Sequence, residues 1–372
     1  MDLDGNAHDM AETRASAVAA RLADCEPFDP KADAARDAAK GDQDRAVSQL
    51  REWGLKSVET AGWLDNPAPP VRALLTANDA QGYPSAFMPA GVVALLVAPG
   101  GTGKTQALMQ LAVAVSCGRP WLGTYSVANP GPVCLIVGEE GDEGLHRRIR
   151  GAVDAGSAWD LAAQVKVNLF TLSMRGRDAC WTDEDGKERA PFTALLAGLK
   201  ALVERWSLVI LDPASRFLGP ECEIDNAAAT RWIELAERLT IELPGNPTVL
   251  VAHHTNKSAL AGATDQGAAR GSSALTDGAR WQANLDRITE VEKHANGKPT
   301  GKRLFVPNEV ILHVVKANDC PIFPDLHLRR DLKHGGFLVP IPNKPVPESA
   351  ATTSVRDRAA GVPVANDDYD DL

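Results

Sequence analysis

The segment Ala98-Pro-Gly-Gly-Thr-Gly-Lys-Thr105 constrains this chain more than any other. It follows an apolar run, Val92–Val97, and opens a stretch, Thr105–Ser116, whose apolar residues recur at helical spacing. Strand, glycine-rich turn and helix in that order make a phosphate-binding loop. Glycines free backbone N–H groups to wrap a β-phosphate, and the helix N-terminus adds its positive end. In this pattern Lys104 reaches the β- and γ-oxygens and Thr105 offers a hydroxyl to Mg²⁺. Ala98 departs from the glycine that usually opens the pattern. The expected ligands are ATP and Mg²⁺, contacted by Gly100, Gly101, Thr102, Gly103, Lys104, Thr105 and Gln106.

Three more apolar runs follow, Val133–Val137, Leu208–Leu211 and Val249–Ala252, each bounded by turn residues. Continuous runs of this kind fit strands buried on both faces of a parallel sheet. Between them Leu145–Val153, Pro191–Trp206 and Asn226–Thr240 have helical spacing, so the alternation predicts an α/β fold with a mainly parallel central sheet flanked by helices. After about Trp281 come short strand-like runs, Leu304–Val306, Val310–Val315 and Phe337–Val339, with no helix between them. They predict a C-terminal antiparallel extension at one edge. Upstream, the first 45 or so residues read as a solvated helix or disordered arm, and Leu50–Pro70 as a small helical element ending in Pro67, Pro69 and Pro70. The expected organisation is an N-terminal arm over 1–65, a nucleotide-binding domain over 66–340 and a disordered acidic tail over 341–372.

The net charge is −10. Much of it lies in the first 60 residues and after residue 340, which leaves the middle nearly neutral and open to phosphate contacts. No apolar run approaches the roughly 18 residues of a membrane span, and no leader opens the chain, so a cytoplasmic protein with no membrane contact is expected. The cysteines are scattered without a CxxC pair, which predicts reduced thiols and no zinc site.

A phosphate loop that hydrolyses nucleotide also needs carboxylates. Asp212 ends the run Leu208–Asp212 and would hold Mg²⁺ through water. Gly138-Glu139-Glu140 ends another, and either glutamate could take a proton from the attacking water. Alternatively, with Asp142 and Glu143, they open a helix at its positive end. His253 and His254 end the fourth run, placed to sense a γ-phosphate or to serve as structural histidines. A long Gly/Ala/Ser loop, Ser258–Ser273, carries Arg270 and leads to Arg280.

Together these segments, with Leu-Asp-Pro-Ala-Ser-Arg-Phe, Ala-His-His-Thr-Asn-Lys and Arg270-Gly-Ser-Ser-Ala-Leu-Thr-Asp-Gly-Ala-Arg-Trp-Gln, resemble the RepA-type plasmid replicative helicases, which are RecA-like AAA ATPases. The resemblance runs from about Val71 to Pro340. It implies a RecA-like P-loop core and a hexameric ring with ATP bound between neighbours. It also implies movement along single-stranded DNA, with a primase or initiator protein as a candidate partner. It assigns Lys104 and Thr105 to phosphate and Mg²⁺, Asp212 to the second carboxylate, Glu139 to water activation and His254 to the γ-phosphate sensor. Arg280 matches an arginine finger for the adjacent subunit. Arg270 falls in a pore-facing loop, and Lys316 with Asn318 in a second DNA-binding element. The rival readings are an ATP-gated DNA-binding or regulatory protein, and a recombination or repair ATPase of the RecA type without unwinding activity.

Overall fold

The computed structural model describes residues 30–79, 82–255, 273–293 and 298–342, and the chain's contacts divide into two units between Pro70 and Val71. In the first unit the Ala-rich arm forms helix α1 (Pro30–Glu52), whose side chains from residue 38 onward are exposed except at Gly41. The one-turn helix α2 (Val58–Ala61) is capped by Ser57, whose hydroxyl accepts the Thr60 N–H at 3.0 Å.

The second unit is built on a sheet of nine strands among the described residues. Its parallel part contains β3 (Val93–Ala98), β5 (Val133–Val137), β6 (Leu169–Ser173), β7 (Leu208–Asp212), β8 (Thr248–His254) and β9 (Trp281–Lys293). Edge to centre the order is β6, β5, β7, β8, β3, β9, all parallel. Beyond β9 lie β10 (Pro299–Ala317), β11 (Leu326–Asp331) and β12 (Phe337–Pro340), each antiparallel to its neighbour. This is the expected α/β architecture with its antiparallel extension. A separate three-stranded sheet, in the order β2 (Pro84–Pro89), β1 (Ala73–Asn78), β4 (Ser126–Val127), is not apparent in the sequence pattern.

All six residues of β3 are buried, and they alternate between two cores. Ala94, Leu96 and Ala98 pack with helix α3 (Lys104–Cys117) and with Leu74, Leu75, Phe87 and Met88 of the small sheet. Val93, Leu95 and Val97 pack on the other side with residues of α6 (Ala190–Leu202) and α7 (Asn226–Glu242). Helix α3 is buried at every residue but Thr105, because it is covered on all sides. The remaining helices are α4 (Asp142–Ala155), α5 (Ala162–Asn168) and α8 (Ser273–Gly278). No helix among the described residues is long and apolar enough to cross a membrane.

The extension is apolar on one face and polar on the other. Leu285, Val310, Leu312, Leu328 and Leu338 join the α3 core. On the opposite face His313 lies 2.8 Å from Asp325 through Nδ1, and Gln282 donates to Asn284 at 2.9 Å. Asp286 stands on the same face, its Oδ2 buried with no hydrogen-bond partner among the described residues. Burial pushes its pKa up to about 6, against the pull of His313. The folded pKa thus exceeds the unfolded one, so ionised Asp286 costs stability as pH rises through about 4 to 6. Asp286→Asn is expected to raise unfolding stability by about 1–3 kcal/mol at alkaline pH, with the gain vanishing below about pH 4. Denaturant titrations across that pH range check it, and a gain that persists in acid would refute the assignment.

Candidate active site

The chain leaves β3 at Ala98 and turns through residues 99–103 into α3. Gly101 and Gly103 sit at φ 76° and 104°, which a side chain would strain. The Thr102 hydroxyl donates to the Pro99 carbonyl at 2.7 Å, and the Gly103 carbonyl accepts the Ala107 N–H at 2.9 Å. Two arginines brace the loop from outside, Arg287 donating to the Gly100 carbonyl at 2.7 Å and Arg330 to the Gly101 carbonyl at 2.9 Å.

Lys104 is 7% exposed, its ammonium 3.6 Å from Asp212 Oδ1. That is an ion-pair distance, and Nζ has no hydrogen bond among the described residues. Burial lowers its pKa, while Asp212 and, more weakly, Glu139 oppose the shift. Thr105 donates its hydroxyl to Asp212 Oδ2 at 2.8 Å. Gln106, the next residue, is 3% exposed, and neither end of its amide has a partner among the described residues. Beside it opens a cavity of about 510 Å³, walled by His146, Arg147 and Arg150 of α4 and by Lys333 and His334.

The sheet register delivers the carboxylates. Val137 pairs with Asp212, and the Gly138 N–H donates to the Asp212 carbonyl at 2.8 Å, which sets Glu139 beside the Lys104–Asp212 pair. Arg216 crosses Gly138 so closely that a Cβ there would lie 2.3 Å from its Cγ, and its Nε is 3.7 Å from Glu139 Oε1. The two glutamates differ in environment. Glu140 Oε1 takes two bonds from Arg148, at 2.9 and 2.6 Å, whereas Glu139 is half exposed. Ala98 pairs with His254, so the second histidine, half buried, stands at the loop's entry. His253 is buried on the opposite face.

Arg280 lies elsewhere. It is exposed, and its N–H donates to Val93 at the start of β3, about 17 Å along the strand from its own phosphate loop. Asn318 and Lys316 share that edge. The Asn318 N–H donates to the Arg280 carbonyl at 3.1 Å, and the Lys316 ammonium donates to the Thr276 and Asp277 carbonyls at 2.9 and 2.8 Å, closing the C-terminal end of α8. Lys316 is therefore engaged as a helix cap, on the edge away from the loop. Arg270 and the rest of its loop lie outside the described residues. The sequence assigns no role to Arg216, which lies within the Leu-Asp-Pro-Ala-Ser-Arg-Phe segment, or to Arg287 and Arg330, because only the folded sheet brings them to the loop.

Residues 49–259, more than half of the chain, match the AAA domain family. The chain belongs to that family. Membership of the AAA domain family makes it a P-loop ATPase that binds nucleotide, usually with Mg²⁺. The site fits both: Lys104 offers a buried ammonium without a hydrogen-bonding anion, and Thr105 and Asp212 offer a hydroxyl and one carboxylate. Such hard oxygens hold Mg²⁺ together with substrate phosphates. The match ends before α8, so Arg280, Arg287 and Arg330 lie beyond it.

Glu139→Gln is expected to cut steady-state ATP hydrolysis by about 10²–10⁴-fold while leaving nucleotide binding intact. Glu140→Gln should retain hydrolysis within about tenfold, since its partner is Arg148. Equal losses in the two variants would refute this division of roles.

Proposed function

We propose that this AAA-domain protein is an ATP-hydrolysing motor on single-stranded DNA, a replicative-type helicase that works as a closed ring. The observation that carries the reading is the position of Arg280. An exposed guanidinium at the far end of β3 serves no phosphate in its own subunit, and in a ring it completes the site of the next. Its charge would stabilise the transferring phosphoryl group there. Within each subunit Lys104 holds the phosphate oxygens and Thr105 with Asp212 holds Mg²⁺. Glu139 accepts the proton of the attacking water, and His254 lies where the terminal phosphate is present or lost. DNA contact rests on the loop that carries Arg270, and the nearly neutral middle of the chain implies modest, salt-sensitive affinity.

Mixing variants tests the ring directly. Arg280→Ala should bind ATP nearly as the parent does but hydrolyse it about 10³-fold more slowly. Lys104→Ala should be inactive because it has lost its own phosphate ligand. Mixed together, the two should regain hydrolysis, since an intact loop then meets an intact Arg280 from its neighbour. No recovery would remove the finger assignment.

Steady-state hydrolysis with and without single-stranded DNA, with Lys104→Ala as the blank, tests the motor. Stimulation by DNA together with displacement of a paired strand is expected. Hydrolysis indifferent to DNA, or ATP-dependent DNA binding without displacement, would replace the helicase reading with a regulatory one.

A further inference from the structure

The two arginines behind the phosphate loop come from the antiparallel extension, Arg287 from β9 and Arg330 from β11. Both are fixed in place. The Arg287 guanidinium lies 5.2 Å over the Phe305 ring. Arg330 pairs in register with Leu338, whose backbone N–H and carbonyl each bond the Gln110 side chain of α3 at 2.9 Å. Leu338 also reaches over the loop, 3.7 Å from where a Gly103 Cβ would stand. The Nε of Arg330 is buried without a partner among the described residues, so its side chain is placed at a cost that only its contact with the loop offsets.

A peptide unit is planar, so the Gly100 carbonyl and the Gly101 N–H form one rigid piece that points two opposite ways. The Gly101 carbonyl and the Thr102 N–H form the next. Holding both carbonyls outward therefore holds both N–H groups inward, where the loop must present donors to an anion. An arginine on the carbonyl also polarises the amide and strengthens its N–H as a donor. Within the loop itself only Thr102 adds a brace, its hydroxyl donating to the Pro99 carbonyl at 2.7 Å and its N–H at a long 3.4 Å, while Gly101 holds a positive φ that glycine alone adopts readily.

We propose that Arg287 and Arg330 are positioning residues that hold the Gly100–Thr102 peptides in their anion-binding orientation, which makes the antiparallel extension part of the nucleotide site of its own subunit. The proposal rests on the nucleotide-binding reading of the loop. It concerns the ground-state grip on the phosphates, so it predicts a change in affinity and little change in turnover at saturation.

The test titrates a fluorescent MgADP analogue into the full chain and into Arg287→Met, Arg330→Met, Arg287→Lys and Arg330→Lys, with ATP hydrolysis and thermal midpoints measured alongside. Each Met variant is expected to weaken Kd and raise KM about tenfold, the loss of one charge-assisted hydrogen bond, with kcat within about threefold of the parent. The Lys variants keep the charge and one donor and should bind within about threefold of the parent. Arginines that merely fasten the extension would lower the midpoint and leave Kd unchanged well below it, which overturns the proposal. Lys variants no better than the Met variants would overturn it as well. Should a Met variant fail to fold, Arg330→Ala and Arg287→Ala, which also remove every donor to the loop, decide the matter: affinity equal to the parent's refutes the role. If the parent chain itself fails to bind MgADP, the nucleotide reading falls instead.

Discussion

Everything in the site depends on β3 being paired in parallel on both sides, with β8 and with β9. Parallel strands bring their C-terminal ends to one edge, and the doubly wound sheet puts ligands there. Ala98, Gly138, Asp212 and His254 reach that edge from four different strands or strand ends. No local sequence preference could assemble them. The alternation of Ala94, Leu96 and Ala98 toward α3 with Val93, Leu95 and Val97 toward α7 fixes the register, since a slip by one residue would expose each set to the wrong core. Ala98 thus has a packing reason to differ from glycine: its methyl faces α3 in a fully buried position.

At that edge the chain accepts an electrostatic cost. A lysine ammonium held at 7% exposure beside a single carboxylate 3.6 Å away loses more hydration than that partner returns, and its lowered pKa records the balance. Asp212 is shared, since Thr105 donates to its other oxygen. The pocket therefore carries polar groups without hydrogen-bond partners among the described residues, the Lys104 ammonium and the Gln106 amide. A polyphosphate with its cation satisfies such a site from outside, and binding it returns stability to the folded state. The burial that makes the Lys104 ammonium costly also makes the site selective for an anion.

Strands β3, β5, β7 and β8 are readable in the sequence because each is a short, unbroken apolar run beside a helix of matching period, whereas β9, the other parallel partner of β3, mixes polar with apolar residues and carries no such signal. The phosphate loop, Asp212 and the two glutamates were readable for the same reason, since they sit at fixed offsets from those runs. The extension was read as shorter strands than it has. Pro307 and Asn308 look like a turn, yet they form a bulge inside β10, where Asn308 takes φ 60° and the pairing shifts between Phe305 and Val310. Strand β6 was missed because it is an edge strand of intermediate burial, and the small sheet because β1 and β2 mix apolar and polar residues while β4 has only two. The difference in environment between Glu139 and Glu140 comes from Arg148, eight residues on in the helix that follows them, which no local pattern reveals. Lys316 looked free for DNA because its acceptors are backbone carbonyls, which no side-chain pattern reveals.

Strand β9 ties these arrangements together. It begins beside Arg280, whose backbone bonds the start of β3, and seven residues later Arg287 bonds the loop at the end of β3. Hydrogen bonds pair β9 in parallel with β3 over Trp281–Asn284, and in antiparallel with β10 from Trp281 through Arg287. In the ring proposed above, one end of this strand would touch the neighbour's phosphates and the other would set the donors for its own. A displacement of the start of β9 at Arg280 would reach Arg287 along the β9–β10 pairing. Neighbouring nucleotide sites would then be coupled through one rigid element whose two ends each carry an arginine.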